Sequence, residues 1–176
     1  MGPEGTNLPL SPGSRTARPE LTITPMETEA EARSCAHLMA TSEPWLTLGR
    51  GFEDSLRVVR DQTREVHLAR EGDEIVGFVI LCMTGAFVGY IQTICIHAGC
   101  RGLGLGSRLV AFAEQRILRE SPNVFMCVSS FNHDALRLYE RLGYRVVGEL
   151  TDYIVQGHSE ILLRKTVGPL ATFTRT

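Results

Sequence analysis

Arg101-Gly102-Leu103-Gly104-Leu105-Gly106-Ser107 follows a run of strand-forming residues that ends at His97 and precedes a helical run whose spacing predicts an opening near Leu103. Three glycines at alternate positions let the backbone approach a bound group closely, because no Cβ stands in the way. A helix that starts inside the loop adds unpaired amide N–H groups and the positive end of its dipole. The natural occupant is therefore an anion such as a pyrophosphate. Arg101 adds charge to that seat and Ser107 adds a hydroxyl.

Two familiar phosphate loops do not fit. The dinucleotide fingerprint needs G-x-G-x-x-G, but after Gly102 and Gly104 the third glycine comes one residue early, at Gly106, and Ser107 stands where it should be. The Walker loop ends in Gly-Lys-Ser/Thr, and the single lysine of this chain, Lys165, lies far downstream. What the stretch does satisfy is R-x-x-G-x-G, through Arg101, Gly104 and Gly106.

A chain of 176 residues suits one domain with a real core. A composition that is 43% hydrophobic and 22% charged is that of a globular protein. The net charge of −2 gives no reason to expect nucleic acid, since the arginines are scattered among acids. Five cysteines without a C-x-x-C pair read as free thiols in a reducing compartment. No apolar run is long enough for a membrane span and no signal-peptide pattern is visible, so a cytoplasmic protein without a membrane partner is expected.

Residues 1–20 are rich in Gly, Pro, Ser, Thr and Arg, which predicts a disordered arm. A domain is expected over 21–167 and a tail over 168–176. Leu21 to Thr24 alternates as a strand, and Ala32, Cys35, Ala36 and Met39 mark one face of a helix over Glu29 to Met39. Phe52 to Arg60 reads as a second helix. Between these helices lie Glu43, Pro44 and Trp45, the only tryptophan, either a plug where two helices meet or a wall of a binding site. Glu65 to Ala69 and Glu74 to Met83 are strands about a turn at Glu71-Gly72-Asp73, and Gly77 is a candidate bulge.

Gly89 to His97 reads as the strand before the loop, with Tyr90, Gln92, Ile94 and Ile96 on one face and Ile91, Thr93, Cys95 and His97 on the other. Leu105, Leu109, Phe112, Ala113 and Ile117 form the stripe of the next helix. Val124 to Val128 is a strand and Asn132 an N-cap. Ala135, Leu138 and Leu142 line a helix that Gly143 closes, and Tyr144 to Leu150 and Ser159 to Leu163 are final strands. The expected class is α+β in three layers: one domain with a mixed, mostly antiparallel central sheet and helices on both faces.

A second pattern, N-x-x-A-x-x-x-Y-x-x-x-G-[FY], runs from Asn132 through Ala135, Tyr139 and Gly143 to Tyr144. With the R-x-x-G-x-G loop it resembles the paired motifs of the GNAT N-acetyltransferase family. That resemblance implies an acetyl-CoA-dependent transfer of an acetyl group to a primary amine, in a ternary complex and without metal. It assigns the backbone of Ile94, Cys95 and Ile96 to the acetyl and pantetheine groups. Arg101, Gly102, Leu103, Gly104, Leu105, Gly106 and Ser107 fall to the pyrophosphate, and Asn132 to the pantetheine arm. Tyr139 becomes the general acid, two turns along the helix from Asn132.

The base stays open among Tyr90, Glu43 and His97, with Tyr90 first. Tyr90-Ile91-Gln92-Thr93 is similar to a strand of protein N-terminal acetyltransferases, but the histidine those enzymes place on the following strand is Cys127 here. Glu43, Trp45 and Tyr90 are the candidate acceptor-binding residues. The acceptor is a peptide N-terminus or a small amine. The rival reading is a non-catalytic acetyl-CoA-binding module, and a monomer or homodimer is equally compatible.

Overall fold

The computed structural model describes residues 20–175, so the arm expected over 1–20 lies, apart from Glu20, outside the described residues. Eleven principal elements follow in the order β1 (Leu21–Pro25), α1 (Glu29–Ala40), α2 (Phe52–Val59), β2 (Arg64–Glu71), β3 (Glu74–Cys82), β4 (Tyr90–Ile96), α3 (Leu105–Ile117), β5 (Asn123–Ser129), α4 (His133–Arg141), β6 (Arg145–Leu150) and β7 (Glu160–Thr166). They form one seven-stranded sheet in the order β1-β2-β3-β4-β5-β7-β6. Only the β4–β5 pairing is parallel. The α+β reading with a mostly antiparallel sheet is the observed class.

Two apolar layers hold the helices to this sheet. On one face Ala32, Cys35, Ala36 and Met39 of α1 meet Leu56 and Val59 of α2 over Leu68, Phe78, Ile80 and Cys95. On the other, Leu105, Leu109, Val110, Ala113 and Ile117 of α3 cover Val79, Leu81, Ile91, Val124 and Met126. Each large apolar side chain buried here contributes about 1.5–3 kcal/mol, which is why the stripes dictate where the helices lie. A capping box starts α1: Thr28 Oγ1 accepts from the Glu31 amide at 3.2 Å, while the Glu31 carboxylate accepts from the Thr28 amide at 2.8 Å. Gly143, at φ +92°, ends α4 with amide bonds from Gly143 to the Glu140 carbonyl and from Tyr144 to the Tyr139 carbonyl.

Several boundaries and faces differ from the sequence reading. Helix α3 begins at Leu105, not near Leu103, because Gly104 sits in the left-handed region at φ +82° as its N-cap. Tyr144 is not in β6 but buried ahead of it, spent on closing α4. Leu138 leaves the expected core stripe of α4 and lines a groove. The bulge near Gly77 lies at Val76, which the pairing of Ala69 with Gly77 and Arg70 with Ile75 skips. Gly77 itself is needed because a Cβ there would come within 2.7 Å of the Cys95 carbonyl.

The most consequential difference is in β4. Ile80 pairs with Thr93 but Leu81 pairs with Ile91, so Gln92 is an extra residue and the side-chain alternation slips there. Ile91 therefore joins Ile94 and Ile96 on the α3 face, while Cys95 faces α1.

Candidate active site

Beyond the bulge, β4 and β5 part company. Their parallel pairing covers only Tyr90 with Phe125 and Ile91 with Met126. On its other side β4 stays bonded to β3, and the His97 amide reaches the Val76 carbonyl at 2.9 Å. Because bonds alternate along such a ladder, Cys95 and Thr93 also face β3, and the N–H groups of Ile94 and Ile96 point into the gap. The Ile96 carbonyl, which points the same way, accepts from Arg101 Nε at 3.3 Å.

Helix α4 stands across this gap and turns it into a groove with three connected arms. In the central arm, of about 250 Å³, Glu43, Pro44 and Trp45 face Ile94, Cys95, Ile96, Asn132 and Tyr139, with Arg101 and Gly106 at one end. A second arm, called the phosphate arm after its expected occupant, continues from there past Gly102, Gly104, Leu105 and Ser107 to Arg141. A third, called the acceptor arm after the expected amine, runs the other way, past Gln92, Thr93, Leu48 and Ile154 to Cys127, Ser129 and Glu160. The sequence reading thus placed most of its residues in one continuous channel.

The phosphate arm has the electrostatics of an anion seat. The first bond along α3 runs from the Arg108 amide to the Gly104 carbonyl, so the amides of Leu105, Gly106 and Ser107 have no partner within the helix. Gly102 at φ +75° and Gly104 at φ +82° shape the turn that exposes them. A Cβ on Gly106 would approach Leu138 Cδ2 at 3.2 Å and Ile96 Cδ1 at 3.4 Å, so a side chain there would intrude on the groove floor. Arg101 and Arg141 supply positive charge from opposite sides. Leu103, assigned to the pyrophosphate, instead projects from the loop and is 52% exposed.

Asn132 caps α4, its side-chain oxygen accepting from the Ala135 amide at 3.3 Å, which leaves its NH2 group free to donate. Burial pushes the Tyr139 hydroxyl up to about 12, so it is a proton donor at neutral pH and cannot be the base. Burial likewise pushes the Tyr90 hydroxyl well above the usual phenol range. It hydrogen-bonds Cys127 and is absent from the lining of all three arms. His97 is turned away as well: its Nδ1 accepts from the Gly99 amide at 3.2 Å, and the ring lies on the α1 side. Glu43 does line the central arm, where its carboxylate accepts from the Thr47 amide at 3.2 Å. Trp45 both packs against the α1–α2 core and lines the central and acceptor arms. Cys95 is buried with its thiol pushed up to about 12, which removes it as a nucleophile.

The sequence reading missed Glu160. It opens β7 opposite Ser129, whose Oγ donates to Glu160 Oε1 at 2.6 Å, and only 4% of it is exposed. Burial raises its carboxyl above the usual carboxylate range. A charged residue at the head of the apolar run Ile161-Leu162-Leu163 was the available signal, but only the β5–β7 pairing brings it to the groove.

The sequence model of the acetyltransferase (GNAT) family matches residues 27–144. The chain belongs to the GNAT acetyltransferase family. It is 34% identical over 90 residues to a blasticidin-S acetyltransferase of Streptomyces morookaense, a match covering 47% of this chain and 66% of that one. With an acetyltransferase of Agrobacterium fabrum it shares 33% identity over 75 residues, 39% of this chain and 54% of the relative. The chain thus spans less than two thirds of either relative. In fold it is similar to an aminoglycoside 6'-N-acetyltransferase solved with coenzyme A, at a TM-score of 0.68 and 18% identity over 84% of this chain and 98% of that one. The GNAT family's acetyl donor is acetyl-CoA, and the unpaired amides, two arginines and glycine-lined floor of the groove fit that molecule.

Proposed function

We propose that the chain is an acetyl-CoA-dependent N-acetyltransferase that acetylates a primary amine on a small molecule by direct attack in a ternary complex. The observation that carries this reading is the parting of β4 from β5. It leaves the Ile94 and Ile96 amides free, opposite Asn132 and Tyr139, on a channel that links an anion seat to a separate acceptor arm.

Acetyl-CoA when bound supplies an acetyl group activated as a thioester and a thiolate that can leave. The amides of residues 105–107, with Arg101, Arg141 and Ser107, would hold its phosphates. Ile94 and Ile96 would carry the pantetheine arm along the free edge of β4, joined by the Asn132 amide. The Ile96 N–H would stabilise the negative charge that an attacked thioester carbonyl gathers on its oxygen. Tyr139, held protonated by burial, would be the group that donates a proton to the leaving thiolate. Trp45 and Leu48 keep water from the reacting centre.

Two features support a small acceptor. The acceptor arm is walled by Pro44, Trp45, Leu48 and Ile154 rather than open along a strand edge, and the relative 34% identical to this chain is named for the small molecule blasticidin S. The Tyr90 resemblance that favoured a protein N-terminus loses force, since the hydroxyl is buried on Cys127. Five free cysteines suit a cytoplasmic setting.

Coenzyme A thiol release should be measured with blasticidin S, an aminoglycoside, a streptothricin, peptides with free N-termini and N-blocked lysine peptides. Release with one or more of the small molecules is the expected result. Release confined to peptides would overturn the acceptor assignment. Tight coenzyme A binding with no release on any acceptor would replace the enzyme by a binding module.

A further inference from the structure

The acceptor arm ends on a buried carboxylate that the motifs leave without a role. Glu160 is 4% exposed, yet it lines the arm together with Trp45, Leu48 and Ile154. Ser129 Oγ holds one oxygen at 2.6 Å, and among the described residues no cation lies within ion-pair distance of the other. Arg50 attracts it from beyond that distance, as the last of the influences on its carboxyl after burial and the Ser129 bond. A carboxylate taken out of water with a single hydroxyl as partner is costly unless a cation arrives to share the site.

We infer that Glu160 seats the acceptor as an ammonium ion and takes one of its protons, so that the substrates are small cationic amines. This rests on the transferase reading above and assigns the proton acceptor that reading lacks. The nitrogen loses two protons as the C–N bond forms and the C–S bond breaks. The first goes to Glu160 before attack and leaves through the groove. The second leaves as the amide forms and restores the proton that Tyr139 gives to sulfur, so the net change is one amide, one thiol and one proton released. Such a base suits amines that are ammonium ions at neutral pH, with ordinary pKa values of about 8 to 10.4.

Other groups face Glu160 from each neighbouring element. They are Ser129 and Cys127 on β5, Tyr90 on β4 and Arg50 from the segment before α2, with Tyr153 of the β6–β7 connection acting on Tyr90. Cys127 and Tyr90 are themselves pushed upward by burial, as Glu160 is, and Glu160 is the carboxyl among them.

Trp45, the only tryptophan, lines the same arm and makes acceptor binding visible by fluorescence without turnover. With coenzyme A present, blasticidin S, the aminoglycoside and the streptothricin are titrated into wild type, Glu160→Gln and Ser129→Ala. The acceptor bound by wild type should bind Glu160→Gln at least about tenfold more weakly, with coenzyme A affinity unchanged. For that acceptor kcat/KM should fall by about 10²–10⁴ and lose its acid limb. Ser129→Ala removes a hydrogen bond that favours the ionised carboxyl, so its acid limb should move to higher pH. A merely structural role would lower coenzyme A affinity along with the rate and leave the limb in place. Acceptor affinity within twofold of wild type in Glu160→Gln, with the limb intact, overturns the assignment while the enzyme reading stands. Silence of the wild type on every acceptor overturns both.

Discussion

Gly106→Ala separates folding from donor binding at a single methyl group. Gly106 lies in the first turn of α3 with no positive φ, so alanine fits its backbone and gains about 0.5–1 kcal/mol of helix preference. The new Cβ would meet Leu138 Cδ2 at 3.2 Å and Ile96 Cδ1 at 3.4 Å, both far ends of flexible side chains that can yield at little cost. Net stability should stay level or rise by up to about 1 kcal/mol, a melting temperature higher by at most about 4 °C for a chain of this size. On the proposed reading the groove has no such latitude, because the methyl would stand where the donor would pass between Ile96 and Leu138. Losing one charge-assisted amide–phosphate bond costs about 1.5–3 kcal/mol, so coenzyme A should bind about 10- to 150-fold more weakly. Calorimetric titration with coenzyme A and a ligand-free thermal melt read the two effects separately. Unchanged affinity would show that the donor does not pass over Gly106. A melting temperature lower by more than about 4 °C would show that the glycine serves packing.

Other sites give sharper single readouts. Tyr139→Phe keeps the ring that packs against the α3 face and removes only the hydroxyl, so kcat should fall by about 10²–10⁴ with coenzyme A affinity within threefold; a kcat within threefold of wild type would dismiss the acid role. At Gly89, φ is +89° and a Cβ would collide with Ile117 Cγ2 and stand 2.5 Å from the Asn123 carbonyl oxygen, so Gly89→Ala should cost about 2–5 kcal/mol and lower the melting temperature by at least about 5 °C. Burial holds the His67 imidazole below its ordinary pKa, so the unfolded chain binds the proton more readily, and stability present above pH ~6.5 is lost as pH falls below it. His67→Phe, set against Phe112 with which the imidazole ring makes an edge contact at 4.8 Å, should flatten that acid slope in melts between pH 7 and pH 5; an unchanged slope would place its origin elsewhere.

The parts legible in the sequence were those written in local spacing. The α1 stripe Ala32, Cys35, Ala36 and Met39 is buried as its periodicity requires, and the glycines at 102 and 104 occur where φ is positive. Asn132 and Gly143 mark the ends of α4 for the same local reason. What was not legible depends on pairing between distant segments. Nothing in Tyr90-Ile91-Gln92-Thr93 announces an extra residue, because a bulge is defined by which partner residue is skipped, and the partner here is β3. The slip at Gln92 then moves Ile91 to the opposite face from the one that strict alternation assigns. Glu160 was hidden in the same way. It is a strand residue in sequence and a groove residue only because β7 inserts between β5 and β6.

One bulge accounts for both the face of Ile91 and the opening of the site. A parallel pair that continued past Ile91 would consume the Ile94 and Ile96 amides and leave no gap for α4 to bridge. With Gln92 inserted, the backbone swings out and the gap opens towards β5, whose far neighbour β7 delivers Glu160. The insertion is pinned from outside the groove. Gln92 Oε1 accepts from Arg64 at the start of β2, and Arg64 Nε donates to Asp61 Oδ2 at 3.0 Å. Hydrogen bonds from Thr63 and then the Arg64 guanidinium push the Asp61 carboxyl down to about 2, so this anchor stays charged at any pH at which the protein works. An opening held by its own side chains has its amides aimed before any ligand arrives, which is the arrangement that stabilises developing charge without reorganising at the moment of reaction. Tyr139 on α4 and the Glu160 carboxylate on β7 then face the same gap from different elements. Neither needs the other to move.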